Sequence, residues 1–365
     1  MKKTLLLTKE YFPFFGGIAT YCYSLFKYFD KKDYLVICDH PQVKTEDNII
    51  NLALENKYIW PSWFFAFWQI KKIIQEQKIE IIFTPNILPL GSIAYFLNKF
   101  LHIPYIISLH GLDLNLALEA KPKLTYKILQ QAQTILVNSQ TTAKILDVFP
   151  ELKNKIIVLY PSLNLDFAKF EPAKLDKLKN HWQISPETTV FLSVGRLVSR
   201  KGHSSAISAL AASAATDFRY FIVGRGPEKE NLLKLIKKYE LTDKIQILED
   251  VAYADLIYYY KLANIFLLPQ QSLSVDTEGF GIVFLEAAAA GLSIIAGNNG
   301  GVLEILSDQK NALLVNSQSE LETAIQKLMI DKNLQTYLAQ NALARSKEFL
   351  SAQAQSEKLK HLLSI

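Results

Sequence analysis

The chain has 365 residues, of which 50% are hydrophobic and 21% charged, and its formal net charge is +5. This length suits two domains, and the apolar content excludes a disordered chain. The charge is mild and forms no basic block, so a nucleic-acid partner is not expected. Its two cysteines, Cys22 and Cys38, supply neither a disulfide framework nor the spacing of a zinc site, which indicates a reducing, cytoplasmic location.

The N-terminal run MKKTLLLTKEYF is predicted to form a buried strand rather than a signal peptide, because it is short and continues into Lys9 and Glu10. Gly16 and Gly17 follow in a loop that leads into a helix. A missing Cβ there lets the backbone come close to a ligand, although a simple tight turn is the alternative. The sequence contains no uninterrupted apolar run of roughly 18 residues, the length that a membrane-spanning helix needs.

A dense aromatic stretch occupies residues 57–74, KYIWPSWFFAFWQIKKII, and holds three of the four tryptophans. Aromatic side chains usually pack in a core, so a buried helix is the favoured interpretation. Lysines at Lys57, Lys71 and Lys72 flank the rings, however, and that pattern also suits a helix in contact with an anionic membrane. Both interpretations stay open, with core packing favoured.

Two continuous apolar runs, Ile79 to Phe83 and Ile103 to Leu109, have the composition of parallel strands that are covered on both faces. The second run ends at His110. In open α/β sheets the ligand binds at the carboxyl ends of the strands, so His110 is a candidate donor of a proton or hydrogen bond to a substrate. A purely structural histidine is the alternative.

The second half of the chain repeats this alternation of strands and helices, which predicts two doubly wound domains that face each other. The charged stretch at residues 169–180 is interpreted as a surface connection. We therefore expect an N-terminal domain at residues 1–166, a second domain at 167–345 and a C-terminal helix at 346–365 that packs back towards the first domain.

Arg196 is the first arginine of a chain that otherwise uses lysine freely. It follows the predicted strand Thr188 to Val194, and its planar guanidinium suits a bidentate contact with phosphate. Lys201 comes five residues later. The two cations form a candidate clamp for a diphosphate, with a chance placement of the arginine as the alternative.

The stretch from Asp276 to Gly291, DTEGFGIVFLEAAAAG, is the densest in candidate chemistry. Glu278 and Glu286 bracket a Gly-Phe-Gly turn that opens an Ala-rich helix, whose first backbone amides are available to an anion. Carboxylates accept hydrogen bonds from hydroxyl groups. Phosphate at the helix start, with hydroxyl groups on either side, describes a nucleotide sugar.

In combination these motifs resemble those of the retaining family-4 glycosyltransferases of the GT-B fold. The wording EGFGIVFLEAAAAG followed by IAGNNGG is most similar to GDP-mannose-dependent phosphatidylinositol mannosyltransferases, while related sequences use UDP-glucose, UDP-galactose or UDP-N-acetylglucosamine. The segments that carry the resemblance are Gly16-Gly17, His110 to Asp113, Ser193 to Leu197 with Lys201-Gly202, Val223 to Pro227, Glu278 to Gly281 with Glu286, and Gly297 to Gly301 with Glu304.

The resemblance implies an α/β protein of GT-B architecture, with two facing Rossmann-like domains and a cleft between them. It implies an enzyme that moves a hexose, mannose favoured, from a nucleotide sugar to a lipid-linked or glycan acceptor with retention of configuration. No metal and no other cofactor are expected. The implied location is cytoplasmic and peripheral at the inner face of the plasma membrane, with contact to anionic lipid through residues 57–74.

The resemblance also assigns roles to single residues. Arg196 and Lys201, beside Gly195, would hold the donor diphosphate, Glu286 the ribose and Glu278 the transferred sugar. The remaining positions are the backbone of Gly279, Phe280, Gly281 and Ile282 facing the sugar and phosphates, Gly16 and Gly17 approaching the diphosphate, and His110 contacting the sugar. The residues expected to act in catalysis are His110, Arg196, Lys201 and Glu278.

Several alternatives are weighed against this assignment. The same reaction with a UDP-sugar, or a catalytically silent nucleotide-binding protein, stays open. A nucleotide-sugar epimerase would lack the combination of Arg196 and Lys201 with the two glutamates, and a dinucleotide oxidoreductase would carry GxGxxG after the first strand. Ile18 follows the first glycine pair where relatives often carry an acidic or polar group, so the acceptor is not readable.

Overall fold

A computed structural model of the chain describes residues 2–14, 16–213, 217–271, 279–349 and 351–364. The chain divides into two compact units. Unit 1 comprises Met1–Asn164 and Leu350–Ile365, and unit 2 comprises Leu165–Phe349.

Unit 1 is built on a seven-stranded sheet whose strands are short runs of Leu, Ile, Val and Phe. These strands are β1 (Thr4–Leu7), β2 (Tyr34–Cys38), β3 (Ile49–Asn51), β4 (Ile81–Thr84), β5 (Tyr105–Leu109), β6 (Thr134–Val137) and β7 (Ile156–Val158). Their order is β3-β2-β1-β4-β5-β6-β7, and neighbouring strands are parallel. The central strands are fully buried, as expected for parallel strands with helices on both faces.

The helices between these strands bury one apolar stripe each against the sheet. They are α1 (Gly17–Phe26), α2 (Phe64–Gln77), α3 (Ser92–Leu101), α4 (Leu112–Ala120), α5 (Pro122–Gln131) and α6 (Gln140–Ile145). The winding direction reverses between β1 and β4, so the loops after these strands flank the switch point where doubly wound sheets bind ligands.

Unit 2 repeats this architecture with a six-stranded parallel sheet. Its strands are β8 (Thr189–Val194), β9 (Phe218–Val223), β10 (Ile245–Leu248), β11 (Ile265–Leu268), β12 (Ser293–Gly297) and β13 (Leu313–Val315). They lie in the order β10-β9-β8-β11-β12-β13. The two doubly wound units confirm the predicted α/β class with Rossmann-like domains.

Seven helices accompany this sheet among the described residues of unit 2. They are α7 (Pro172–His181), α8 (His203–Ala212), α9 (Lys229–Lys238), α10 (Leu256–Leu262), α11 (Ile282–Ala290), α12 (Gln318–Ile330) and α13 (Lys332–Ser346). The stretch interpreted as a surface connection is the helix α7, which buries none of its residues. The last helix of the chain, α14 (Ala352–Ser364), returns to unit 1, where Leu359 and Leu363 join the apolar cluster of α1.

The aromatic stretch at residues 57–74 differs from the favoured expectation of a buried helix. Only one face of α2 is buried, and of its rings Phe67 lies in the core while Trp63, just before the helix, packs against it. The other rings lie on faces that nothing in unit 1 covers. The side chains with large exposed fractions are Tyr58 (97%), Trp60 (87%), Phe65 (51%), Trp68 (51%) and Phe64 (43%).

Candidate active site

The motifs of unit 2 follow four strands of its sheet and therefore meet at one edge. Gly195 directly follows β8, Gly224 follows β9, Pro269 follows β11, and Asn298 follows β12. The sheet is parallel, so all four loops lie at the carboxyl ends, and β8 with β11 forms the switch point. This edge is where the fold places a ligand.

Lys201 is the buried cation of this edge. Its side chain is only 6% exposed, and a Cβ placed on Gly195 would lie 3.6 Å from its Cε and 3.9 Å from its Nζ. The side chain of Lys201 thus runs back along the loop after β8, and its ammonium group lies beside Gly195. Arg196 differs, because it is an exposed residue.

Two glycines let the backbones of this edge pack against one another. Gly202 has φ +73°, and a Cβ there would lie 2.2 Å from the Pro269 carbonyl oxygen, so no other residue fits without a shift. A Cβ on Gly224 would lie 1.9 Å from the Gly195 carbonyl oxygen. Because Gly202 and Gly224 lack side chains, the loops after β8, β9 and β11 can pack in direct contact.

His203 begins α8 two residues after Lys201 and was not identified from the sequence. It is 2% exposed, and no hydrogen-bond partner of either ring nitrogen is found among the described residues. Burial, and then the charge of Lys201, lower the pKa of His203 to about 4. The ring is therefore neutral at pH 7. The sequence feature that could have indicated His203 is its position directly after Lys201 and Gly202.

The Gly-Phe-Gly turn is described from Gly279 onwards, and Glu278 lies outside the described residues. Phe280 is buried, and Gly281 has φ +79° at the start of α11. Gly281 has no side chain with which to cap the first amides of α11, which begins at Ile282. The helix start thus has the form expected of an anion site.

Glu286 lies inside α11 and is only 3% exposed. Its Oε2 accepts a hydrogen bond of 2.7 Å from the Tyr260 hydroxyl, and its Oε1 a longer one of 3.4 Å from the Tyr253 hydroxyl. Burial raises the pKa of Glu286 to about 7, and the two tyrosine hydroxyls partly offset this. No local sequence pattern indicates either tyrosine, because Tyr253 and Tyr260 lie 33 and 26 residues before Glu286.

In unit 1, His110 follows β5 at the carboxyl edge of the sheet. Its backbone amide donates a 2.8 Å hydrogen bond to Asp113 Oδ1, and its ring makes an edge contact with Tyr21 at 5.0 Å between centroids. Its buried Nε2 has no hydrogen-bond partner among the described residues. Burial lowers the pKa of His110 to about 4, so the imidazole is neutral and can donate one hydrogen bond but carries no charge.

Gly16 and Gly17 begin α1, after β1. A Cβ on Gly16 would lie 2.7 Å from Glu10 Oε2, whereas a Cβ on Gly17 would meet nothing within 4 Å. Gly16 thus lies close to the side chains of Glu10 and Phe14, and Gly17 leaves open space beside the helix start.

Two searches of the described residues complete the site. No group of three or more His, Cys, Asp and Glu side chains in these ranges could hold a metal ion. No helix among the same residues has the length and apolar character needed to cross a membrane.

Comparison with known proteins identifies the class of protein. The family described as "Glycosyl transferases group 1" matches residues 175–345, and "Glycosyltransferase Family 4" matches residues 15–167. Solved structures of high similarity include Anabaena Alr3699/HepE in complex with UDP and glucose, with a TM-score of 0.83, 18% identity and full coverage of both chains. Sucrose-phosphate synthase from Thermosynechococcus elongatus has a TM-score of 0.83 and 19% identity, covering 100% of this chain and 98% of that one.

The class defined by this fold is that of the GT-B glycosyltransferases. Within it, the chain belongs to the family-4 glycosyltransferases, since the two family matches together span most of its length. It is 26% identical to a GDP-mannose-dependent alpha-(1-6)-phosphatidylinositol monomannoside mannosyltransferase of Mycobacterium tuberculosis, covering 97% of this chain and 94% of the relative. A monoacylated-substrate counterpart from Corynebacterium glutamicum is also 26% identical, over 84% and 83% of the two chains.

Proposed function

We propose that the protein is a retaining hexosyltransferase that moves mannose from GDP-mannose to a lipid-linked or glycan acceptor. The observation that carries this proposal is the buried Lys201 ammonium beside Gly195 at the carboxyl edge of β8. A cation at the ligand edge of a parallel sheet suits an anionic ligand, because ammonium groups bind phosphate through charge-assisted hydrogen bonds. The mannosyltransferase relatives, similar over most of the chain, favour the donor.

The site residues of unit 2 hold the donor. Lys201 and Arg196 bind the diphosphate and stabilise the charge that develops on it as the sugar leaves. The first amides of α11, from Gly281 and Ile282, face the phosphates and the sugar together with the backbone of Gly279 and Phe280. Glu286 accepts hydrogen bonds from the ribose hydroxyls.

The remaining residues contact the transferred sugar or approach the diphosphate from unit 1. Glu278 accepts hydrogen bonds from its hydroxyls, His110 donates one as a neutral imidazole, and the backbone at Gly16 and Gly17 approaches the diphosphate. The acceptor hydroxyl attacks the anomeric carbon from the face that the diphosphate leaves. The bond from this carbon to the phosphate oxygen breaks, the new glycosidic bond forms, and the acceptor proton moves to the leaving phosphate oxygen. Cationic side chains and helix starts serve this step without a metal ion.

A UDP-sugar is the second candidate donor. It is favoured by the similarity of the fold to a protein solved with UDP and glucose. Donor choice depends on a few side chains near the base and sugar, and residues 272–278 before the Gly-Phe-Gly turn lie outside the described ranges.

A thermal-shift screen of GDP-mannose, UDP-glucose, UDP-galactose and UDP-N-acetylglucosamine tests the donor. We expect the largest stabilisation with GDP-mannose, because a ligand that binds only the folded state raises the unfolding temperature. A larger shift with a UDP-sugar would replace the donor and leave the reaction class intact. Tight binding without turnover of any donor would instead indicate a silent nucleotide-binding protein.

We also propose that the protein is cytoplasmic and attaches peripherally to the inner face of the plasma membrane, where a lipid-linked acceptor is presented. The contact is the aromatic surface, defined as Tyr58, Trp60, Phe64, Phe65, Trp68 and Phe100. Phe100 of α3 extends this surface beyond residues 57–74. The residue is 65% exposed, and the centroid of its ring lies 5.8 Å from that of the Phe67 ring. Soluble proteins seldom expose so many neighbouring rings without a partner.

Charge decides which partner this surface fits. Residues 57–74 contain three lysines and no acidic residue. The Lys71 ammonium lies 5.0 Å from the centre of the Trp68 ring, so a cation lies directly against the aromatic surface. Rings that enter the headgroup region, with lysines that meet anionic headgroups, describe a helix at the surface of an anionic bilayer.

A further inference from the structure

The Glu286 carboxylate is held by two tyrosine side chains that the proposed function does not use. Both come from one short segment: Tyr253 lies just before α10 and Tyr260 lies within it. Tyr260 is fully buried and its hydroxyl is 2.7 Å from Oε2, whereas Tyr253 is partly exposed and its hydroxyl is 3.4 Å from Oε1. The two contacts therefore differ in strength, and the Tyr260 contact is the stronger.

A count of hydrogen-bond sites shows what these contacts leave available. A carboxylate has about four acceptor positions, two on each oxygen. Tyr260 occupies one position on Oε2, and Tyr253 occupies one on Oε1. One position per oxygen remains, which is the number that the two neighbouring hydroxyls of a ribose require.

The same hydroxyls favour the ionised carboxylate. The titratable groups of the described residues that face Glu286 are Tyr253 and Tyr260, and both lower its pKa against the larger, opposite effect of burial. Burial, followed by the charge of Glu286, raises the pKa of both tyrosines far above neutrality, so each remains a neutral donor. Among the described residues, the two tyrosine hydroxyls are the groups that favour the ionised form of Glu286.

We infer that Tyr260 is a positioning residue for donor binding, because its hydroxyl orients the Glu286 carboxylate and holds it in the form that accepts both ribose hydroxyls. The inference rests on the proposed assignment of Glu286 to the ribose. Tyr253 has the lesser share, since its longer contact and partial exposure allow it to move when a nucleotide binds.

The test compares Tyr260→Phe with Tyr258→Phe, which removes a hydroxyl from the same helix that makes no contact with Glu286. The probes are GDP, UDP and their 2′,3′-dideoxy forms, measured by calorimetry from pH 6 to pH 9. For the better-bound ribonucleotide at pH 7, we expect Tyr260→Phe to bind roughly tenfold more weakly, as for the loss of one hydrogen bond to a charged group. The dideoxy form should bind wild type and Tyr260→Phe equally, and Tyr258→Phe should match wild type throughout.

The pH profile separates positioning from a general structural role. Loss of the Tyr260 hydroxyl raises the pKa of Glu286 further, so ribonucleotide binding should appear at higher pH in Tyr260→Phe and approach the wild-type value near pH 9. An equal loss for ribo- and dideoxy-nucleotides at every pH would overturn the inference. Unchanged binding of the ribonucleotide would overturn it as well.

A double-mutant cycle with Glu286→Gln provides a second, independent readout. If Tyr260 acts through Glu286, then Tyr260→Phe should add no further loss of ribonucleotide binding once Glu286→Gln is present. Additive losses would overturn the inference while the proposed function stands. Wild-type protein that binds neither GDP nor UDP would overturn the proposed function itself, and the inference with it.

Discussion

The two units share one architecture but place their exceptional residues in opposite ways. Among the described residues, the charged or imidazole side chains that are less than 9% exposed are Lys201, His203 and Glu286, and all three belong to unit 2. Unit 1 instead exposes the rings of the aromatic surface, and its His110 and Asp113 are partly exposed as whole residues. Unit 2 buries ionisable side chains, which are usually solvated, whereas unit 1 exposes aromatic rings, which are usually buried.

Both the buried ionisable groups of unit 2 and the exposed rings of unit 1 are unusual in a protein, and each indicates a kind of ligand. Ionisable side chains that are strongly buried cluster at functional sites, so the three in unit 2 indicate a site for small, polar ligands. A contiguous apolar patch in water is unfavourable too, and it indicates an extended partner. Unit 2 thus has the character of a donor site, and unit 1 that of a docking surface.

Lys201→Ala should have the largest effect on unit 2. Removal of a cation that stabilises a developing phosphate charge costs about a hundredfold or more in kcat. The measurement is the rate of nucleotide release from the donor that the thermal-shift screen selects. Lys234→Ala, at an exposed position of α9 in the same unit, is the matched control. Equal rates for the two variants would remove Lys201 from the site.

Gly202→Ala should destabilise unit 2 by about 3 kcal/mol, because it combines a left-handed backbone with a clash against a carbonyl oxygen. The control is Gly291→Ala, which has φ +80° but no atom within 4 Å of the added Cβ. It should cost only about 1 kcal/mol. Chemical denaturation measures both, and similar losses would show that the contact with Pro269 has no energetic role.

The sequence predicted the architecture well because continuous apolar runs and their punctuation are local features. The apolar runs Ile79 to Phe83, Ile103 to Leu109 and Thr188 to Val194 correspond to β4, β5 and β8. The motif residues Gly195, Lys201 and Glu286 were likewise proposed from local sequence patterns, and their roles stay predictions. Tyr253 and Tyr260 could not be found, since their contact with Glu286 exists only after the chain has folded.

The aromatic stretch at residues 57–74 shows what sequence composition does not determine. Composition alone could not decide between core and surface, because the same rings suit both. The decision came from the helix geometry, which turns Phe67 into the core and leaves Phe65 and Trp68 outside. Phe100 joins them from α3, a distance of 32 residues from Trp68 that no local pattern records.

Trp60→Ala, Phe65→Ala and Trp68→Ala together should weaken binding to vesicles that contain anionic lipid by about tenfold, through loss of buried apolar area. All three are exposed, so folding should be little affected. The control is Tyr28→Ala, at an exposed aromatic residue outside the aromatic surface. Flotation measures binding, and equal flotation of the two variants would contradict membrane contact. Preferential binding of wild type to neutral vesicles would contradict the role of the lysines.

Glu286→Gln should change how stability depends on pH. Burial raises the pKa of Glu286 from 4.5 to about 7, so the folded protein retains a proton that the unfolded chain releases between these values. The contribution of this proton to stability is therefore present below about pH 4.5 and is lost as the pH rises through about 7. The difference between wild type and Glu286→Gln should vary across this range by no more than roughly 3 kcal/mol.

Thermal unfolding of the ligand-free proteins from pH 4.5 to pH 8 measures this difference. Comparison with Glu286→Gln removes the contributions of His110, His203 and Asp113, whose pKa values are also displaced by burial. A constant difference across the range would show that the carboxyl group titrates as an ordinary glutamate, and the electrostatic contrast between the two units would shrink accordingly.

The most direct test of the whole assignment is turnover of nucleotide sugars by wild type, Lys201→Ala and Glu286→Gln in the presence of EDTA. We expect wild type to release GDP from GDP-mannose with the chelator present and to form a product that keeps the anomeric configuration of the donor. Both variants should be impaired, Lys201→Ala chiefly in kcat and Glu286→Gln chiefly in donor KM. Wild-type protein that neither binds nor turns over any nucleotide sugar would contradict the assignment.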